Sequence, residues 1–347
     1  MSNVTINEAR LAELLEKERF FDTWIEEEGL GFLIELARRK GIDPPSIINV
    51  ADLSTDIAQS LHEGEPISTA FIVGDIDKIE RLLPQSELRL VRTGHIREMS
   101  PIIRTLAELV NGLVLAYAVD KMGIVRDIRK VDVELPMEGS HLLGIYFRRY
   151  CAISALSEGV VFFVPEKGRR VKLFADGQII GRYGDGDWKP ESMPELDRTV
   201  ESLVAQRGYD RRVVERVLRC AFEMSEHNLG GVFMLGDADD ILNRSEKPRL
   251  SGYAAILTAN LDNLTDEELI NFAKQDGATI VDSRGEFCGA TVLLRPQAHT
   301  PAEVDPKAGA RPTSAAKMSA ECDCLAVVIS HDGPISLYDA GRRVMRF

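Results

Sequence analysis

The chain has 347 residues, 44% of them hydrophobic and 28% charged, a globular composition with enough apolar material for cores that need no disulfide or metal staple. A net charge of −13 argues against a nucleic-acid partner, and five cysteines, an odd number, argue against a secreted disulfide framework. No apolar run reaches membrane-spanning length and the N-terminus has no basic-then-apolar signal, so a cytoplasmic protein with no membrane partner is expected.

In chain order, residues 7–39 are rich in Leu, Glu, Lys and Arg, with apolar positions at helical spacing. TAFIVGDIDKI (69–79) reads as a buried strand, a Gly-Asp step and a helix start, and YAVDKMGIV (117–125) as a strand, a turn at Gly123 and a second strand. From Gly144 a short helix runs into the apolar strand that ends at Val164, and VKLFADG follows. Residues 184–195 are polar with Gly and Pro and read as a linker. Residues 196–227 are helical again, with Val200, Leu203, Val204, Val213, Val214, Val217, Leu218 and Phe222 at helical spacing. GVFMLGDADDI (231–241), TIVDSRGEF (279–287), the loop 295–310 with its three prolines, a helix opening at Gly309, the strand LAVVIS (325–330) and ISLYDAG complete the chain.

The second half repeats the first. The segments at 69–79 and 117–125 recur 162 residues later, and the segment from Gly144 recurs 165 residues later at Gly309. Three matches in one order at nearly constant spacing indicate two copies of one α/β unit, about 41–182 and 207–347. The expected architecture is therefore two tandem mixed-sheet domains, 1–190 and 191–347, each preceded by helices.

The chemistry concentrates in the second copy. Asp276-Gly277-Ala278 precedes a strand pair, and Gly309-Ala310-Arg311 opens the next helix. A carboxylate at a strand start can hold a metal or take a proton, and a glycine beside it lets a ligand approach the backbone. A helix N-terminus offers free N–H groups to phosphate, and an arginine adds a bidentate cation. Other constellations are poor: there is no P-loop, GDGDW (184–188) lacks the rest of a calcium loop, and Cys322 and Cys324 read as small core residues. Arg148 and Arg149 read as an exposed helix face, and His227 and His331 as residues near element ends without an assigned role.

The order DGA, strand pair, GAR, small-residue helix and buried strand resembles the diadenylate cyclase domain family, which joins two ATP molecules into cyclic di-AMP. The resemblance covers about 207–347. It implies Asp276 and Arg311 as catalytic residues. Gly277, Ala278, Leu294, Gly309, Thr313 and Ser314 would be nucleotide-binding, and Asp276 would carry a divalent Mg or Mn ion. It further implies ATP or cyclic di-AMP as ligand and a homodimer meeting through the second copies. The family's Gly-Thr/Ala-Arg-His-Arg reads Gly309-Ala310-Arg311-Pro312-Thr313 here, which removes an imidazole and a guanidinium. A nucleotide sensor using the same pocket is the alternative to an enzyme. In the first copy the 162-residue shift puts Val114 where Asp276 stands, so that copy keeps the strand pattern without the acid.

Overall fold

The computed structural model describes residues 29–62, 65–136, 142–165, 170–184, 186–191, 193–227, 229–246, 259–304, 308–331 and 334–347. Residues 7–28 of the expected N-terminal helical stretch lie outside that set. The chain divides into two compact units, 1–139 with 149–192, and 140–148 with 193–347.

The first unit opens with helices Leu30–Lys40 and Pro44–Gln59. Gly41, left-handed at φ 61°, ends the first of these, and Asp43 caps the second by accepting from the Ser46 amide. Pro44 and Pro45 sit in the second helix's first turn, where no intrahelical N–H is lost. Leu61–His62 (β1) and Glu65–Pro66 (β2) pair only with each other. The main sheet contains Thr69–Gly74 (β3), Gly94–His95 (β4), Leu115–Asp120 (β5), Ile124–Lys130 (β6), Val160–Val164 (β7), Val171–Ala175 (β8), Gln178–Gly184 (β9) and Asp187–Pro190 (β10). Its order is β10-β9-β8-β7-β3-β5-β6-β4. Every residue of β3 is buried, consistent with a central strand covered on both faces. A third of the expected linker at 184–195, residues 187–190, is instead β10, antiparallel to β9. Its proline is tolerated because β10 is an edge strand.

The second unit repeats this plan. The helical stretch expected at 196–227 is two helices, Met193–Arg207 and Arg211–Glu226. The break falls at Gly208, φ 67°, and Asp210 caps the second helix. The strands are Gly231–Gly236 (β11), Ser245–Glu246 (β12), Ala259–Asn260 (β13), Ala278–Asp282 (β14), Glu286–Leu294 (β15), Leu325–Ile329 (β16), Ile335–Asp339 (β17) and Arg342–Arg346 (β18). They run β12-β15-β14-β11-β16-β17-β18, with β13 also on β15. Arg216 and Arg219 both reach Asp266, which tethers helix Asp266–Ala273 to helix Arg211–Glu226.

The two sheets share directions and registers. β3 is parallel to β5 and antiparallel to β7, as β11 is to β14 and β16. Phe71 faces Tyr117 in the first unit, and Phe233 faces Thr279 in the second, both members moved by 162. Val73 faces Val160, and Leu235 faces Leu325, with the second member moved by 165. The turns match as well. Asp120 accepts from the amides of Met122 and Ile124, and Asp282 from those of Arg284 and Glu286. The expected pair of similar mixed-sheet domains, each led by helices, is the architecture observed.

One correction applies to the first unit. In the second unit Gly277, φ 106°, stands directly before β14. In the first the left-handed glycine is Gly112, φ 72°, and residues 113–114 separate it from β5. The residue before that glycine is Asn111, not Val114, and its side-chain oxygen accepts from the amides of Leu113 and Val114. An amide tied into its own turn stands where the second unit carries the exposed carboxylate of Asp276.

Candidate functional site

The site is built at the end of the second sheet where β14 starts. Helix Asp266–Ala273 is fixed by a capping box between Thr265 and Glu268 and ends at Lys274. Gly277 turns the chain sharply into β14. A Cβ there would lie 2.5 Å from the Thr291 carbonyl carbon, so both torsion and space demand glycine. Thr291 is itself left-handed at φ 55°, within the bulge that shifts β15 against β14 between the Ala278–Val292 and Ile280–Gly289 pairs. This irregularity has no counterpart at the matching place in β6, where Leu115 to Ala118 pair without interruption.

The turn leaves the Asp276 side chain 92% exposed. Helix Ala310–Glu321 begins nearby, and Arg311 on its first turn points at that carboxylate, Nη2 standing 3.5 Å from Oδ1. A contact that long between exposed groups is a loose pair and contributes little to stability. It leaves both charges available to a ligand. Gly309 receives no help from a side chain in capping the helix, so the amides of Ala310 and Arg311 lack that partner. Gly309 has φ −70° and ψ 178°, extended backbone that any residue adopts, and a Cβ there would meet nothing within 4 Å. Its value is open space at the helix start.

The remaining expected residues separate. The Thr313 hydroxyl donates to the Gly309 carbonyl at 2.9 Å, within its own helix. Ser314 is half-buried one residue further along. Ala278 is buried in the second unit's hydrophobic core, and Leu294, at the end of β15, packs partly against that core. Asp276 and Arg311 thus meet at the exposed surface, next in sequence to Gly277 and near Gly309, while Ala278 lies in the core and Leu294 packs partly against it.

Sequence reasoning missed His331. Its Nε2 lies 3.5 Å from Arg311 Nη1, whereas Asp276 meets Nη2. It arrives there because Gly231 pairs antiparallel with Ile329, which sets the residue before β11 beside those that follow β16. Gly230 is the residue before β11. A Cβ there would stand 2.9 Å from both Arg311 Nη1 and His331 Nε2. No spacing motif announces a histidine 20 residues from its arginine; only the strand register does.

Among the described residues no group of three or more His, Cys, Asp or Glu is placed to hold a metal ion. No described helix is long and apolar enough to cross a membrane.

Comparison with known proteins finds a family match for part of the second unit. Residues 219–343 match the family model described as DAC, DisA bacterial checkpoint controller nucleotide-binding. A diadenylate cyclase of Haloferax volcanii is 22% identical over 152 residues, 42% of this chain and 56% of that protein. The chain therefore spans about half the length of that curated relative. Among solved structures, a double mutant of DacA from Staphylococcus aureus is 20% identical, covering 39% of this chain and 87% of that one with a TM-score of 0.29. A hypothetical membrane spanning protein from Bacillus cereus is 18% identical, covering 45% and 76%, with a TM-score of 0.31. Asp276, Gly277, Gly309 and Arg311 all fall inside the matched segment. Residues 219–343 are a DAC domain of the DisA nucleotide-binding type, and the chain is a distant relative of the diadenylate cyclases.

Proposed function

We propose that the second unit binds ATP between Asp276 and the start of helix Ala310–Glu321 and condenses two ATP molecules to cyclic di-AMP. The observation that carries this reading is the convergence of Asp276 and Arg311 from sequence positions 35 apart onto one open face. Arg311 and the amides of Ala310 and Arg311 are suited to a triphosphate, since a cation and uncapped N–H groups act together at a helix N-terminus. Asp276, exposed and only loosely paired, is suited to accept the proton of a ribose 3′-hydroxyl. The 3′-oxygen then bonds to the α-phosphorus of the other ATP as the bond to the β-phosphate oxygen breaks, and pyrophosphate leaves.

A single carboxylate with phosphate oxygens completing the shell is a donor set that Mg²⁺ or Mn²⁺ accepts, so Asp276 fits a metal that arrives with the nucleotide. Such an ion supplies charge neutralisation at the triphosphate. Each α-phosphate is attacked by the other molecule's hydroxyl, so two sites must face each other. With one acid-bearing unit per chain, the reading requires a homodimer through the second units. The first unit is proposed to be a copy of the same domain without the acid, its turn carrying Asn111.

A nucleotide sensor is the second reading. It is favoured by Arg311-Pro312-Thr313, which leaves one cation on the helix start, and by a Thr313 hydroxyl already committed to Gly309. Incubation of the full chain with ATP and Mn²⁺ or Mg²⁺, followed by chromatography, separates the two. Cyclic di-AMP supports the enzyme, and nucleotide binding without product supports the sensor. Absence of both binding and product ends this proposal.

A further inference from the structure

We infer that His331, seated with Arg311 across Gly230, is a binding residue for the terminal phosphates of the nucleotide. This inference rests on the nucleotide reading above and extends its site by two residues.

Three observations carry it. His331 Nε2 and Arg311 Nη1 lie 3.5 Å apart, and both side chains are solvent-accessible. Arg311 is held between an imidazole on one side and the Asp276 carboxylate on the other, each at 3.5 Å. Both contacts sit at the outer limit of a hydrogen bond, so the guanidinium is saturated by neither. Gly230 then supplies the floor. A Cβ on it would stand 2.8 Å from His331 Cδ2 and 2.9 Å from Arg311 Nη1, so a side chain there would push both side-chain ends aside from the start of β11.

The chemistry that fits is an anion with several acceptor oxygens. A guanidinium can only donate, whereas the imidazole Nε2 donates or accepts according to its tautomer. A phosphate set against both accepts from Arg311 and from His331 together. Asp276 meets Arg311 at Nη2 and His331 meets it at Nη1, so a phosphate chain that runs along the guanidinium from Asp276 reaches His331. A monophosphate too short to reach past Arg311 would not use His331, whereas the β- and γ-phosphates of ATP would. His331 is therefore a polyphosphate-selective residue and not a general nucleotide contact.

Calorimetric titration of the full chain with ATP, AMP and inorganic tripolyphosphate tests this. His331→Ala should weaken ATP and tripolyphosphate binding about tenfold, the usual effect of losing one charge-assisted hydrogen bond, and leave AMP affinity within about twofold. His331→Gln, which keeps a donor, should recover most of the loss. Gly230→Ala should reproduce the ATP-selective loss by displacing both side chains. ATP affinity unchanged in His331→Ala, or equal losses of ATP and AMP, would overturn the inference. If the unmodified chain binds tripolyphosphate through His331 but no ATP, the phosphate cradle stands and the nucleotide reading fails. If it binds neither, both fail.

Discussion

Gly277 and Thr291 are locked together: the missing side chain of the glycine is the space that the threonine backbone fills, and both residues are left-handed. Gly277→Ala adds a Cβ at φ 106° against backbone 2.5 Å away. It should cost about 3 kcal/mol from torsion and overlap combined, read from urea unfolding. Thr291→Asn, which relieves a β-branched residue of a left-handed torsion, should stabilise by about 0.5–1 kcal/mol. A neutral Gly277→Ala would show that the turn before β14 is looser than described.

Asp276 and Arg311 should fail in different ways. Arg311→Ala should weaken ATP binding by about 1–3 kcal/mol, the range for a hydrogen bond to a charged group. Asp276→Asn should keep the fold and abolish product, because an amide neither accepts the proton nor neutralises a metal. Product formation unaffected by Asp276→Asn would put the acid elsewhere.

Pro312→His with Thr313→Arg should raise product formation, because both groups enter the first turn of helix Ala310–Glu321 facing the proposed phosphates. Pro312 contributes no amide donor, so its removal also adds one N–H to the site. Product yield equal to that of the parent chain would count against phosphate binding at this helix start.

The first unit holds a buried ionic group whose titration should be visible in stability. Lys172 lies 2.8 and 3.1 Å from the two Glu191 oxygens, and Arg182 reaches the same carboxylate at 2.8 Å. Burial pulls Lys172 down to about 8, outweighing the attraction of Glu191, with Arg182 and Arg170 repelling it further. An unfolded lysine keeps its proton to about pH 10.4. Between those values the unfolded chain binds more protons, so stability should rise with pH, and below about pH 8 the cost is fully present. Denaturant midpoints at pH 7.5, 9 and 10 should trace this for the first unit, and Lys172→Met should flatten it. A falling midpoint over that window in the parent, with no flattening in the variant, would contradict this account.

Much of the architecture was legible because buried strands carry a pattern that connections do not. The Gly-Asp steps after β3 and β11 read directly, since Asp75 and Asp237 both cap the helix that follows. Helix Pro44–Gln59 went unread because Ser, Thr and Asp dilute its apolar face. Strand β10 hid in polar residues because an edge strand needs no alternating pattern. The break at Gly208 is a local torsion inside a stretch whose periodicity looks continuous. At the site, Asp276, Gly277 and Arg311 were found as motif residues. His331 and Gly230 were not, since only the pairing of β11 with β16 brings them to Arg311.

The preserved registers also make the first unit a ready host for engineering. Its sheet meets the turn before β5 in the same alignment that the second sheet presents to Asp276, and what differs is how far the left-handed glycine stands from the strand. Replacing residues 111–114 by the shorter Asp-Gly step would graft an acidic turn onto a scaffold that already supports its neighbours. The resulting polypeptide would carry two such turns, and gel filtration beside product assay would tell whether chemistry still scales with the fraction of dimer.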